Sequence, residues 1–312
     1  MSCWAKRKNS KKDEVVAKII ECVPNISEGR NQQVIDEIVG IIKACPGVTF
    51  LDLSSDTSHN RSVLTFIGEP EPMENAVLAM TEAAIRLIDL RKHRGQHPRM
   101  GAVDVIPFIP IKEMDMQECV DFSKRVGNRL WQKYQLPVFL YEASATRPGR
   151  QNLADIRRGE FEGMTEKMTS EEWKPDYGDS LHPSAGAVAV GAREALIAFN
   201  INLSTSNVEV AKAIAKTIRT GGGGLSCVKA LGIFLEERNL AQVSINMTNY
   251  KITPLYRVVE LVKAEAKRWG VHVLGTEIVG LAPMDALVDS AEYYLQIENF
   301  NKETQVLEKH LL

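Results

Sequence analysis

Several features that mark familiar classes of protein are missing from this chain. Its five cysteines form no C-x-x-C pair, so neither a zinc cluster nor a disulfide framework is indicated. Its longest uncharged apolar runs are strand-sized, well short of the roughly 20 residues that span a bilayer. The net charge of −2 provides no overall attraction to nucleic acid or to an anionic membrane surface. We therefore expect a cytoplasmic protein that binds neither nucleic acid nor a membrane.

Signatures of nucleophilic, phosphate-binding and secreted proteins are missing as well. There is no G-x-S-x-G nucleophile motif. The four glycines at 221–224 follow a predicted helix and lack the G-K-[S/T] ending of a P-loop, so they predict a flexible loop. Residues 1–17 are basic and polar without an apolar core, which predicts a solvated tail and not a signal peptide. No bound metal is expected.

Histidine is scarce, with six in the chain, yet two lie in R-K-H-R-G-Q-H-P-R-M-G-A-V-D-V-I-P-F-I-P, residues 91–110. On a helix, the spacing of His93 and His97 would place both rings on one face and indicate a metal site. Gly95 and Pro98 argue against a helix, because proline disfavours the α region at the residue before it, His97. The segment therefore predicts a loop that leads into a buried strand, a usual place for a reactive side chain.

His97 is the main candidate for a catalytic residue. Its neighbours Arg94 and Arg99 should lower its pKa and favour the neutral imidazole that a general base requires. Because no activated nucleophile lies near it in the sequence, the substrate is expected to bring its own. The other histidines with a structural interpretation, as surface or packing residues, are His93, His272 and His310.

The order of predicted elements repeats along the chain. The first half reads as a strand at 18–24, a helix at 31–44, strands at 48–53 and 61–68, a helix at 72–90 and a strand at 103–109. The second half reads as a strand at 197–203, a helix at 207–219, strands at 228–235 and 241–247, a helix at 254–269 and a strand at 272–280. Both halves are βαββαβ, the ferredoxin-like pattern.

This repeat predicts an α+β fold of two ferredoxin-like subdomains, residues 18–195 and 196–312, packed around a central cleft. A length of 312 residues also favours two cores over one. The segment 143–191 is rich in glycine, proline and charge and is longer than most loops, so we expect it to be functional or flexible.

Two polar segments are compatible with either binding or ordinary turn chemistry. In residues 24–31 the polar side chains follow a strand and precede a helix, where capping alone would explain most of them. In residues 54–61 the side chains of Asp56, His59, Asn60 and Arg61 could bind a polar substrate or be solvated.

Six segments resemble, in order, motifs of the glutamate formiminotransferase family. They are E-C-V-P-N-I-S-E-G-R-N, H-N-R-S-V-L-T-F-I-G, G-Q-H-P-R-M-G-A-V-D-V-I-P-F-I-P, D-Y-G-D-S-L-H-P-S-A-G-A-V-A-V-G-A-R, A-F-N-I-N-L and N-L-A-Q-V-S-I-N-M. The resemblance runs from about Lys18 to the end of the chain. It implies transfer of the formimino group of N-formimino-L-glutamate to N5 of tetrahydrofolate, giving 5-formiminotetrahydrofolate and L-glutamate in histidine degradation. It also implies a homodimer, and a separate cyclodeaminase for ring closure.

The resemblance also implies site residues. The family's catalytic histidine falls on His97, and animal enzymes carry an aspartate where this chain has Ser54, so Asp56 and Asn60 in the same loop are retained as binding candidates. The family's tetrahydrofolate-binding loop falls on Gly178, Asp179, Ser180, Leu181, His182, Pro183, Ser184, Ala185, Gly186 and Ala187. His182 is a weaker catalytic candidate. Candidates for pairing with substrate carboxylates are Arg61, Arg99 and Arg193.

The chemistry implied by the family suits a single imidazole. N5 of tetrahydrofolate attacks the amidine carbon, after which N5 must lose a proton and the glutamate nitrogen must gain one. Two alternatives stay open: the same site could use 5-formyltetrahydrofolate as donor, or the chain could be a folate-binding module without turnover. His97 favours an enzyme, because a carrier needs no base at the reactive nitrogen.

Overall fold

The computed structural model describes residues 17–310, which divide into two compact units, one ending at Arg193 and the other beginning at Glu194. The predicted tail, residues 1–17, lies outside the described residues except for Ala17. No helix in the described range is long and apolar enough to cross a membrane. Within that range, no group of three or more His, Cys, Asp or Glu side chains could hold a metal ion.

The first unit is built on a mixed sheet with helices packed on both of its faces. Its elements are β1 (Ile19–Cys22), β2 (Asn25–Ile26), α1 (Gln32–Lys43), β3 (Val48–Asp56), β4 (Arg61–Gly68), α2 (Pro70–Leu87), β5 (Val103–Lys112), α3 (Met116–Tyr134), β6 (Val138–Leu140), α4 (Leu153–Arg157), α5 (Glu160–Lys167) and β7 (Val188–Ala192).

The strand order of this sheet places β5 near its centre. From one edge the order is β3, β4, the consecutive pair β1 and β2, β5, β7 and β6. The pairings of β1 to β5 among themselves are antiparallel, whereas β5 pairs with β7, and β7 with β6, in parallel. Because β5 has neighbours on both sides, its residues from Val103 to Ile109 are buried. The loop before β5 is thus fixed to the most buried strand of the unit.

Local sequence explains the first helix. The side chain of Asn31 accepts hydrogen bonds from the backbone N–H groups of Gln33 and Val34, at 3.2 and 3.4 Å, and so caps α1. The buried positions Ile35, Ile38 and Ile42 recur at the helical period. Each fully buried isoleucine contributes about 1.5–3 kcal/mol of transfer free energy, which is enough to hold α1 against the sheet.

The segment 143–191 is ordered and belongs to the first unit. It contributes β7 to the sheet, and its helices α4 and α5 supply Ile156 and Met164 to a core cluster that also contains Val105 and Phe139. The guanidinium of Arg150 anchors the segment, being 1% exposed and donating to Asp176 Oδ2 at 2.6 Å. The segment is therefore a covering layer with its own secondary structure, and its predicted functional role stays a prediction.

The second unit has an antiparallel sheet with helices packed on one face. Its elements are β8 (Ile197–Leu203), α6 (Val208–Ile218), β9 (Val228–Leu235), β10 (Leu240–Met247), α7 (Leu255–Arg268), β11 (Val273–Val279), α8 (Met284–Leu295) and α9 (Lys302–Gln305). The strand order is β11, β8, β10, β9. The predicted α+β class, with two sheets in two units, is confirmed.

The predicted elements agree closely with the observed ones, and the unpredicted elements lie outside the repeat. The twelve predicted strands and helices each overlap an observed element of the same type, with ends that differ by a few residues. The two-residue strand β2 directly follows the first predicted strand and was not predicted, and the other elements with no counterpart are α3, β6, α4, α5 and β7 in the first unit and α8 and α9 in the second.

Candidate active site

His97 lies in an irregular loop that is pinned at several points by backbone hydrogen bonds. The N–H of Gln96 donates to the carbonyl of Ser58 at 3.2 Å, and the carbonyl of Arg99 accepts from the N–H of Phe161 at 2.9 Å. No helical turn includes His97, as Pro98 predicts. The loop therefore presents His97 from a fixed backbone.

The imidazole of His97 is nearly buried and incompletely hydrogen-bonded. Its side chain is 9% exposed, and Nε2 has no hydrogen-bond partner among the described residues. Nε2 lies 3.8 Å from Oδ2 of Asp104, which is beyond hydrogen-bond distance but close enough for strong attraction once the ring is charged. His97 can therefore gain a hydrogen bond from a small movement when it takes up a proton.

Burial lowers the pKa of His97 from its ordinary value of 6.5, and the positive charges of Arg157 and Arg61 act in the same direction. The carboxylate of Asp104 opposes this shift. The predicted direction is thus confirmed, but its causes differ from those predicted. The responsible cations come from β4 and α4, and burial contributes more than either.

The sequence neighbour Arg99 is engaged elsewhere. Its side chain is 6% exposed and donates two hydrogen bonds to Glu162, at 2.6 and 2.7 Å, and one to Glu160 at 2.7 Å. These carboxylates lie at the start of α5, so Arg99 ties the His97 loop to the covering layer. A guanidinium held in this way has little capacity left for a substrate carboxylate.

Asp104 is the main site residue that was not predicted. It is 1% exposed, its Oδ1 accepts the N–H of Met100 at 2.8 Å, and its Oδ2 accepts the Nε–H of Arg157 at 2.8 Å. Although burial acts to raise it, Arg157 and the hydrogen bonds hold the pKa of Asp104 at about 2. A buried charge requires such partners. Asp104 is therefore a carboxylate at every physiological pH.

A second imidazole, that of His59, lies in the β3–β4 turn beside the His97 loop. Its Nδ1 is 2.7 Å from Oδ2 of Asp56, and its backbone N–H donates to Oδ1 of Asp56 at 2.8 Å. Its ring centroid is 6.5 Å from that of His97, with the rings inclined at 63°. Both carboxylate oxygens of the binding candidate Asp56 are thus engaged by His59.

The candidate Asn60 has a structural role. Its Oδ1 accepts the N–H of Gly29 at 2.9 Å, and its Nδ2 donates to the carbonyl of Arg94 at 3.0 Å. Its own carbonyl lies 2.9 Å from Nε2 of His93, whose Nδ1 accepts a hydrogen bond from Arg99 at 3.2 Å. Asn60 therefore joins three loops around His97, and His93 is a packing residue, in agreement with its structural interpretation.

The predicted folate loop passes directly against the His97 loop. The N–H of Ala102 donates to the carbonyl of Ala185 at 2.8 Å, and the N–H of Ala187 donates to the carbonyl of Met100 at 2.9 Å. A methyl group placed on Gly101 would lie 2.0 Å from the carbonyl oxygen of Ala187, so only glycine permits this approach. The fold thus brings together two motifs that are separated by about 80 residues.

Within the folate loop, the two ends differ in exposure. The methyl groups of Ala185 and Ala187 are fully buried in the core, so side-chain contact with a ligand is left to residues 178–184. The ring of His182 closes the turn, with Nδ1 accepting the N–H of Ala185 at 3.0 Å. Its Nε2 is the nitrogen left for a ligand.

Gly186 should be intolerant of substitution for a structural reason. Its φ is +73°, and a Cβ there would lie 2.1 Å from the carbonyl oxygen of Met100. The close approach is to the chain's own backbone, and contact of Gly186 with tetrahydrofolate, which the family resemblance implies, stays a prediction. We expect Gly186→Ala to lower the free energy of unfolding by about 1–3 kcal/mol or more, measured by denaturant titration.

The matched control for this prediction is Gly40→Ala. Gly40 lies inside α1, and a methyl group there would meet nothing within 4 Å. This change should be neutral or stabilise the protein by about 0.5–1 kcal/mol. Equal stability of the two variants would contradict the packing argument.

The remaining candidates are Arg61 and Arg193. Arg61 begins β4, and its buried Nε has no hydrogen-bond partner among the described residues. Burial lowers the pKa of Arg61, which marks a cation held away from water. Arg193 follows β7, where its N–H donates to the carbonyl of Phe108 at 3.0 Å and its charge acts on Glu21 and Tyr141.

Comparison with known proteins gives matches over almost the whole chain. Residues 19–193 match the model of the formiminotransferase domain, N-terminal subdomain, and residues 198–310 match that of the formiminotransferase domain. A glutamate formimidoyltransferase of Streptococcus pyogenes serotype M1 is 55% identical, with 95% of this chain and 100% of that protein covered. A glutamate formimidoyltransferase of Thermoplasma acidophilum is 46% identical over 94% of this chain and 97% of that protein.

Longer proteins match as well. A formimidoyltransferase-cyclodeaminase of Rattus norvegicus is 46% identical over 91% of this chain, and the match covers 53% of that protein. Among solved structures, a putative glycine cleavage system transcriptional repressor is similar over 85% of this chain and 99% of its own, at 7% identity and a TM-score of 0.29. That structural similarity is too low to bear on fold or function.

Proposed function

The chain belongs to the formiminotransferase family, and we propose that its glutamate formimidoyltransferase reaction takes place at His97 in the first unit. The activity transfers the formimino group of N-formimino-L-glutamate to tetrahydrofolate. The observation that supports this location is the nearly buried, neutral imidazole of His97, which lies beside the permanently charged carboxylate of Asp104.

The proton chemistry follows from this pair. With Nε2 of His97 directed at Asp104, the ring nitrogen left to face a substrate is Nδ1. When N5 of tetrahydrofolate attacks the amidine carbon, Nδ1 accepts the N5 proton and the ring becomes an imidazolium. Its Nε2–H then closes on Asp104, so the charge is stabilised as it develops. The imidazolium returns the proton to the glutamate nitrogen as the carbon–nitrogen bond breaks.

We also propose that the sheet of each unit has ferredoxin-like topology. The support is the repeated strand order: β11, β8, β10, β9 in the second unit corresponds to β5, β1 with β2, β4, β3 in the first, the order of a ferredoxin-like sheet.

One assay tests the function. Purified protein is mixed with N-formimino-L-glutamate and tetrahydrofolate, and release of L-glutamate is measured. Replacing the donor with 5-formyltetrahydrofolate, with glutamate as acceptor, tests whether that folate is also used. Binding of tetrahydrofolate without glutamate release would favour a folate-binding module. A homodimer, a separate cyclodeaminase and a cytoplasmic location are further proposals, the first of which light scattering measures directly.

Arg61 is the arginine that we assign to the carboxylates of N-formimino-L-glutamate. Unlike Arg99, whose guanidinium is occupied by glutamates, Arg61 has a buried Nε without a hydrogen-bond partner in the part of the chain that the structure describes. We expect Arg61→Lys to raise the KM for this substrate by about 10- to 100-fold, because a hydrogen bond to a charged group contributes about 1.5–3 kcal/mol. The KM for tetrahydrofolate should change less than threefold.

The control for this prediction is Arg125→Lys, on the surface of α3, where Arg125 pairs with Glu74 at 2.9 Å. Both KM values should stay at the wild-type level in this variant. If Arg61→Lys raised both KM values equally, Arg61 would be a structural residue of β4.

A further inference from the structure

The mechanism above leaves one imidazole of the site without a role. His59 is fixed in the β3–β4 turn, and its ring centroid lies 6.5 Å from that of His97. At this separation the two rings cannot hydrogen-bond directly. The distance instead leaves room for one polar group that contacts both rings.

Asp56 fixes the orientation and tautomer of His59. Burial acts to raise the pKa of Asp56, but the hydrogen bonds from the backbone and ring of His59 lower it, so Asp56 remains a carboxylate. Because a carboxylate accepts only, Nδ1 of His59 carries a hydrogen and donates it to Oδ2 at 2.7 Å. Nε2 is therefore the nitrogen that can exchange a proton with another molecule.

The two rings differ in their access to water. The side chain of His59 is 45% exposed, whereas that of His97 is 9% exposed. A half-exposed imidazole can take up a proton from solvent after each turnover, which a nearly buried ring does slowly. The pair thus combines a shielded base with a solvent-connected acid.

The reaction has a use for such an acid. The proton from N5, carried by His97, converts the departing glutamate nitrogen into a neutral amine. That amine is a nucleophile and can attack the new formimino group in reverse. A second proton turns it into an ammonium ion, which has no free electron pair and cannot attack. The two protons thus come from different sources, one from N5 and one from solvent.

We infer that His59 is a further catalytic residue, which gives this second proton to the glutamate nitrogen from Nε2 and is reprotonated by water. The inference rests on the proposed function and on the position of His97. The charged and titratable groups that surround the pair are Asp56 and Arg61 on β3 and β4, Asp104 on β5 and Arg157 on α4.

The test compares wild-type protein with His59→Gln and His59→Ala in glutamate release. We expect kcat to fall about 10- to 100-fold, with both KM values within about threefold of wild type. Because the turn is half exposed, imidazole in the buffer should restore activity to His59→Ala at least fivefold.

Two further variants complete the test. Asp56→Asn removes the carboxylate that fixes the tautomer and orientation of the His59 ring, so kcat should fall in this variant as well. His310→Gln, at an exposed histidine of the second unit, should behave as wild type. Turnover of His59→Gln within threefold of wild type overturns the inference. So does a loss of kcat in His59→Ala that imidazole does not restore. A wild-type protein that releases no glutamate would instead overturn the proposed function itself.

Discussion

Replacing His97 with alanine should lower kcat by about 10²–10⁴-fold and leave the Kd for tetrahydrofolate within about threefold. The reason is that the imidazole acts on protons that move only during the reaction, whereas binding of the folate depends on other groups. Steady-state glutamate release gives kcat, and fluorescence titration gives the Kd. Near-normal turnover would mean that His97 only shapes its loop.

The pH profile of the wild-type enzyme provides an independent check on His97. Because burial lowers its pKa below the ordinary 6.5, the base is neutral above that value and protonated well below it. The acid limb of kcat/KM should therefore lie below pH 6.5. An acid limb above pH 7 would point to another group as the base.

The elements of both units could be predicted because their signals are local. In α1 the apolar spacing and the Asn31 cap specify a helix. The strand β5 is a mainly apolar run that follows a loop containing proline. The helix α3 was missed although Asp115 and Glu118 form a capping box at its start. It lies outside the βαββαβ repeat, so the repeat does not predict it.

The candidate site could be predicted only in part, because its contacts link distant segments. The position of His97 in a loop follows from Pro98, but nothing local shows that Arg157, 53 residues after Asp104, approaches the same site. A signal for Asp104 does exist. A carboxylate between Val103 and Val105 in a buried strand must have a charged partner, although the sequence cannot identify it.

The arginines show how sequence proximity misleads. Arg99 stands two residues from His97, yet the extended backbone around Pro98 turns its guanidinium toward Glu160 and Glu162. Arg61 is 36 residues away, and its charge acts on His97 because the β3–β4 turn is joined to the His97 loop by the hydrogen bond from the N–H of Gln96 to the carbonyl of Ser58. In a loop, unlike in a helix, neighbouring side chains need not share an environment.

Exchanging Asp104 for asparagine should reduce kcat by about 10- to 100-fold, because the imidazolium of His97 then loses a charged hydrogen bond of about 1.5–3 kcal/mol. The asparagine retains an oxygen that can accept from Met100, so the loop should stay in place. Loss of the negative charge also lowers the pKa of His97 further. The acid limb of the pH profile should therefore move to lower pH, as measured by kcat/KM between pH 4.5 and 8.

Arg157→Gln supplies the opposite change at the same ion pair. Removing this cation raises the pKa of His97, both directly and by freeing Asp104 to act on the ring, so the acid limb should move to higher pH. Arg157→Lys retains the charge and should keep the wild-type limb. Simple damage to the fold would reduce the activity of both Asp104→Asn and Arg157→Gln, and it would shift the acid limbs of these two variants in the same direction or not at all. Shifts of opposite sign therefore identify Asp104 and Arg157 as positioning residues that act through His97, and shifts of the same sign would reduce them to a structural ion pair.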